Sequence, residues 1–185
     1  MKQIIIVVII IAAGLILYYL RNRSIQSKTE KITTETNKYN GLRQQVFSGT
    51  RAIFNIPEND SNSVWCVVVE FIVSDATVTI VSLADGNASI YLSSGGGFIG
   101  GFGHSTIKSA AIKTVNLSLQ FKRKMQKVDA YPLPTNNNVV FYLLTDDGIY
   151  SVSDSEDKVT EQKSEFSPLF FAAQDVITQY RLIQK

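Results

Sequence analysis

The sequence predicts an α+β domain held behind an N-terminal transmembrane helix, and three observations predict it. A charge-free apolar run extends from Ile4 to Leu20. Five short β-branched or alternating runs follow further on, separated by tight-turn signals. Two stretches with helical apolar spacing complete the pattern, one behind a glycine-rich loop and one closing the chain.

The first element is the anchor. From Ile4 to Leu20 the chain is rich in Ile and Val and ends in Tyr18 and Tyr19, the composition of a short bilayer-spanning helix with aromatic residues at the interface. A cleaved signal peptide fits less well, because no small-x-small site follows the apolar core. Lys2 alone precedes the run, whereas Arg21, Arg23, Lys28 and Lys31 follow it, so the positive-inside rule places the C-terminal domain in the cytoplasm, at the cell membrane. Residues 1–23 are therefore expected to form a single-pass anchor with its flanks, residues 24–54 a polar basic spacer and residues 55–185 one globular domain. In the spacer, Ile25, Ile32, Tyr39, Val46 and Ile53 recur every seven residues, but the companion positions Lys28, Glu35, Leu42 and Gly49 are mostly polar. The seam is half empty, which argues against a stable coiled coil. The later part of the spacer is expected to fold as a helix onto the domain.

Within the domain, Val64 to Val73 is almost continuously apolar, the signature of a buried strand. Hairpins at Ser74-Asp75-Ala76 and Asp85-Gly86 lead to strands from Thr77 to Leu83 and from Ala88 to Ser93. A helix is expected from Ser105 to about Val128, capped by Ser105 or Thr106, with Ile107, Ala111, Val115 and Leu119 on its apolar face. Lys122, Arg123, Lys124 and Lys127 would then sit at its C-terminus, where cations complement the dipole. Two more strands, from Val139 to Thr145 and from Ile149 to Val152, flank the turn at Asp146-Asp147-Gly148. The acidic stretch from Asp154 to Glu165 has no periodicity and reads as a surface loop. Ser167 as N-cap and Pro168 at the first helical position then start a closing helix whose face carries Ala172, Val176, Tyr180 and Ile183. The expected domain is a five-stranded antiparallel sheet in the order βββ-α-ββ-α, with its helices packed on it. This order resembles the profilin, roadblock and longin group of small domains, a resemblance that implies a binding scaffold more than a catalyst.

The candidate site is the loop behind the third strand. Gly95, Gly96, Gly97, Gly100, Gly101 and Gly103 are six of the chain's eleven glycines and fall within nine residues. Glycine concentrates where the backbone needs positive φ or a close approach. Residues 95–100 match G-x-G-x-x-G, but no acidic residue follows about twenty positions on and no parallel βαβ unit surrounds the motif, so dinucleotide binding is not expected. No Gly-Lys-Ser/Thr closes a Walker loop. The loop, with His104, is expected to bind a protein partner or a small anionic ligand through backbone amides. An enzyme is the competing reading: a hydrolase using His104 with Ser93 or Ser94, with Asp85 as the acid, although no G-x-S-x-G elbow frames either serine.

Composition narrows the remaining classes. Residues 1–54 carry eight Lys/Arg against two Glu, while residues 55–185 carry ten against fourteen Asp/Glu. A mildly acidic domain lacks the cationic surface of a nucleic-acid binder. One histidine and one cysteine, Cys66 in an apolar strand, give no metal-ligand set and no internal disulfide. No cofactor is expected.

The run Leu83-Ala84-Asp85-Gly86-Asn87-Ala88-Ser89-Ile90-Tyr91 leads into Ser94-Gly95-Gly96-Gly97, then Ile99-Gly100-Gly101 and His104. With Val64-Trp65, Pro132-Leu133-Pro134, Phe141-Tyr142-Leu143-Leu144-Thr145 and Ser167-Pro168-Leu169-Phe170, it resembles an uncharacterised family of bacterial proteins over about residues 64–181. Cys66 and Phe102 stand where the family pattern has glycine, and the family consists of soluble domains. The resemblance implies one domain with a special Gly-rich loop and implies no mechanism.

Overall fold

The computed structural model describes residues 2–57, 64–135 and 137–184, with the side chains of residues 2–20 outside that description. The α+β class holds, but the sheet has seven strands where the sequence predicts five. In chain order the elements are α1 (Lys2–Ser48), β1 (Val64–Val73), β2 (Ala76–Leu83), β3 (Ala88–Leu92), β4 (Gly97–Ile99), α2 (Ser105–Ser118), β5 (Gln126–Val128), β6 (Asn138–Thr145), β7 (Gly148–Ser155), α3 (Glu156–Thr160) and α4 (Ser167–Ile183). The spatial order is β4-β3-β2-β1-β6-β7-β5, and every neighbouring pair is antiparallel.

The expected transmembrane anchor is corrected. Among the described residues no helix is long and apolar enough to cross a membrane, so the membrane-spanning, single-pass reading of the stretch from Ile4 to Leu20 is overturned. No boundary separates that stretch from the polar residues behind it. One 47-residue helix runs through both, with no proline to stop it. Residues 21–34 are exposed, and from Tyr39 onward the helix lies on the sheet, burying Tyr39, Val46 and Phe47.

The sheet is covered on both faces. One core cluster joins Val67, Val69, Phe71, Ile80 and Phe141 to Ile107, Ala111 and Val115 of α2 and to Leu169, Ala173 and Val176 of α4. The other joins Cys66, Val68, Val81, Tyr91, Tyr142 and Leu144 to Tyr39, Val46 and Phe47 of α1. Burial on both faces explains why β1 reads as an unbroken apolar run instead of an alternating one. A bulge between Val64 and Cys66 sends Trp65 and Cys66 to the α1 face together. Burial pushes the Cys66 thiol up, which leaves it an inert core residue with no disulfide partner.

Two expected boundaries move. The helix expected to reach Val128 ends at Ser118, and the chain turns through residues 119–125 to add β5 beside β7. Two of the lysines assigned to its C-terminus instead bind acidic partners across the fold, Lys122 to Asp147 at 3.1 Å and Lys124 to Glu165, while Lys127 lies in β5. The acidic stretch is ordered: Asp154 lies within β7 and accepts from Ser164 Oγ at 2.6 Å, and α3 buries Val159 completely. Neither Ser105 nor Thr106 caps α2, whose N-cap position is held by His104. Ser167 likewise makes no cap. It lies in the first turn of α4, while Ser164 Oγ accepts the Phe166 amide at 3.0 Å.

One polar cluster fastens α1 to the sheet. Glu70, fully buried in the middle of β1, receives both Arg43 Nε at 2.7 Å and Nη2 at 2.8 Å. Thr79 Oγ1 donates to the same carboxylate at 2.8 Å, and the Tyr39 hydroxyl pairs with Thr79 at 2.9 Å. Arg43 also donates to the Tyr131 carbonyl at 2.8 Å and lies over the Phe47 ring, which stacks on Tyr131 with centroids 4.6 Å apart. A buried bidentate pair with its remaining lone pairs satisfied holds its geometry tightly, and removing one partner strands the other charge. Arg43→Met is expected to lower stability by about 3 to 5 kcal/mol in urea unfolding, whereas Arg43→Met with Glu70→Leu recovers most of that loss.

The same cluster sets an alkaline limit. Desolvation, reinforced by the Glu70 charge, pushes the Tyr142 hydroxyl up to about 12, and the same two causes raise Tyr39. The fold therefore favours the neutral phenols. Their stabilisation is complete below pH 10, the ordinary tyrosine value, and is lost as pH rises from 10 through about 12. Urea midpoints measured from pH 9 to 11.5 are expected to fall over that window, and Tyr142→Phe, which lacks the titrating hydroxyl, is expected to flatten the fall.

Candidate binding site

The glycine-rich loop is a hairpin, a short edge strand and a helix entry in succession. Leu92 accepts from the Gly95 amide at 2.9 Å and donates to the Gly96 carbonyl at 3.2 Å, the pattern of a three-residue hairpin closed by a left-handed glycine. Gly95 has φ 101° and Gly96 φ 84°. Gly95 packs against Glu35 of α1 so closely that a Cβ would meet its Cγ at 2.9 Å and its Oε2 at 3.0 Å, which brings the loop backbone beside that carboxylate. Lys38 at 2.9 Å is the main cause holding the Glu35 carboxyl below its ordinary range, with Lys31 and the Gly96 amide adding to it.

β4 follows, paired with β3 through Tyr91 to Gly97, Ile90 to Phe98 and Ser89 to Ile99. Gly97 is obligatory, since a Cβ there would meet the Ile90 carbonyl oxygen at 2.1 Å at φ 139°. Side chains alternate about this strand. Phe98 stacks on Tyr180 of α4 at 5.1 Å, and Ile99 lies on the α1 face. Gly101 then packs so closely that a Cβ would meet Ile107 at 2.4 Å and the Tyr180 hydroxyl at 2.6 Å. That hydroxyl donates to the Ala88 carbonyl at 2.7 Å and locks α4 to the hairpin. Gly100 and Gly103 face open space.

Between α1 and this hairpin lies a pocket of about 200 Å³, lined by Glu35, Lys38, Tyr39 and Leu42 on one side and by Tyr91, Leu92, Gly95, Gly96, Gly97 and Ile99 on the other. Small-molecule sites usually begin near 300 Å³, so this volume suits a single side chain better than a metabolite. Ile99, which lines it, stands in solvent at 67% exposure, and three residues further on, at the entry to α2, Phe102 is 50% exposed. Lys108 lies 4.3 Å from the Phe102 ring centroid and holds that ring in place.

The polar residues named from the sequence are not brought together. Ser93 Oγ accepts the Thr77 amide at 2.8 Å, and Ser94 is exposed on the hairpin turn. Asp85 closes the turn at the opposite end of β3, accepting from the Asn87 backbone and side-chain amides, both at 2.8 Å. β3 is five residues long, about 17 Å at the rise of an antiparallel strand. His104 is exposed beyond the far end of β4, at the entry to α2. Serines and histidine thus occupy opposite ends of one hairpin. Among the described residues no three His, Cys, Asp or Glu side chains cluster to hold a metal.

The sequence places Glu35 and Leu42 in the spacer and Ile99 and Phe102 within the glycine-rich stretch, and assigns none of the four to the site. The one usable signal was Glu70, a lone charge inside an apolar strand, which requires a buried partner; nothing local points 27 residues back to Arg43. Compared with known proteins, the chain matches no family model, no curated protein and no solved structure.

The glycines separate into roles that substitution can tell apart. Gly96→Ala meets no neighbouring atom and carries only the cost of a left-handed alanine, about 1 kcal/mol. Gly97→Ala collides with backbone and is expected to cost at least twice as much. Thermal midpoints of the two variants check the order.

Proposed function

We propose that this domain is an interaction module whose recognition surface is the junction of α1 with the β3–β4 hairpin. The observation that carries the reading is the pairing of a side-chain-sized pocket with two exposed apolar residues, Ile99 and Phe102, on the same glycine-rich segment. Exposed large apolar side chains beside a concavity are the usual anchors of a protein contact. The backbone around them is held rigidly by Gly97, Gly101 and the Tyr180 hydrogen bond, so little ordering is needed on binding. The same segment carries His104 and borders Ser93 and Ser94, and their separation along the hairpin favours binding over hydrolysis.

The test uses the full chain as bait, with cross-linked partners quantified by mass spectrometry. Ile99→Asp with Phe102→Asp is expected to reduce specific capture by at least tenfold. Its thermal midpoint should stay within a few degrees of the parent, since both side chains are exposed. Equal capture by parent and variant would sink the reading.

A further inference from the structure

The two edges of the sheet are treated differently. At one edge, β5 carries Lys127 between Gln126 and Val128, and a lysine on an edge strand discourages pairing with another chain. At the other edge, β4 carries Gly97, Phe98 and Ile99, with neither charge nor proline. Among the described residues no strand pairs with its outer side.

The direction of the free groups follows from the hairpin. Leu92 donates to the Gly96 carbonyl, so these two residues face each other across the ladder. Alternation then makes Ile90 and Phe98 the next hydrogen-bonded pair and turns the amide and carbonyl of both Gly97 and Ile99 outward. That edge offers two donors and two acceptors in strand register. The Ile99 side chain and the pocket beside Tyr91 lie on the α1 face of the same edge. An occupant that satisfies the backbone and fills the pocket is an extended peptide with an apolar side chain at one position.

Charge selects among such peptides. α1 leaves the sheet past the hairpin turn, where Glu35 packs against Gly95. Its exposed residues 21–34 carry Arg21, Arg23, Lys28 and Lys31 against Glu30 alone. Lys31 and Lys28 lie about 6 and 10 Å beyond Glu35 at the helical rise. A strand on β4 that overshoots the turn therefore runs beside a cationic rod.

Resting on the interaction-module reading, we infer that the outer edge of β4 takes an acidic peptide in extended form as an eighth strand of the sheet, with one apolar side chain of the peptide in the pocket beside Tyr91. The β4 edge supplies register, the pocket supplies the anchor, and α1 supplies the preference for Asp and Glu.

The test selects from a random twelve-residue peptide library displayed on phage, with the immobilised full chain as target. Enriched peptides are expected to alternate apolar residues with Asp or Glu. Their synthetic versions should weaken about tenfold when alternate amides are N-methylated, a change that leaves the protein intact. Ile99→Pro, which removes one outward amide, should weaken them similarly, and Lys28→Glu with Lys31→Glu should weaken them and flatten their salt dependence. Peptides indifferent to both N-methylation and Ile99→Pro would overturn the inference, as would enrichment of basic sequences or no enrichment over bare support. The underlying reading is scored separately: if capture still depends on Ile99 and Phe102 while strand addition fails, only the β4 assignment falls.

Discussion

The buried pair between Arg43 and Glu70 is the constraint on which the rest of this structure depends. Glu70 stands at the centre of the middle strand with no exposure, so its charge has to be met within the fold. Arg43 meets it with two hydrogen bonds and, by doing so, fixes both the rotation and the axial position of α1 on the sheet. Everything α1 contributes one to two turns away on that face follows from this register. Tyr39 reaches Thr79, Phe47 reaches Tyr131 and Tyr142, and Glu35 arrives beside the glycine hairpin. A slip of one residue along the helix would rotate all of these contacts away together.

The glycine-rich segment gains its form from that register. The hairpin is closed by Gly95, and the absence of a side chain there lets Glu35 of α1 pack directly against the turn. The surface left over is a small pocket, a free strand edge and two exposed apolar side chains, which suit a polypeptide partner. Tyr180 closes the other side of the same hairpin, through its hydrogen bond to Ala88 and its stacking on Phe98. Helices on opposite faces of the sheet therefore hold one three-residue strand between them.

Several particulars show how far the sequence reached. The apolar run of β1, the turns at Ser74-Asp75 and Asp85-Gly86, and the i+4 pattern of Ile107, Ala111 and Val115 are local signals, and each element formed where its signal lay. β4 and β5 were missed because each is only three residues long, with Phe98 and Ile99 of β4 flanked by glycines and β5 mostly polar. One is half glycine by context and the other sits among lysines, so only the neighbouring strands make them strands. The ordering of the acidic stretch was missed for a similar reason. Val159 is its single apolar residue with a place in the core, and Asp154 is held by Ser164, ten residues away. At the candidate site the glycines stood out at once, whereas Glu35, Leu42 and Arg43 belong to a helix more than forty residues upstream.

The apolar run from Ile4 to Leu20 marks the limit of reading composition alone, since local hydrophobicity suggested a boundary where the helix has none. Residue order determined the α+β class, the main strands and the unusual loop, because those rest on short-range periodicity and on glycine's access to left-handed backbone. Tertiary structure decided the number of strands, the pairing of Glu70 with Arg43, the separation of His104 from Ser93 and Ser94, and the packing of Glu35 against Gly95. These are contacts between residues far apart in sequence, and their energies exist only once the sheet brings the partners within hydrogen-bonding distance.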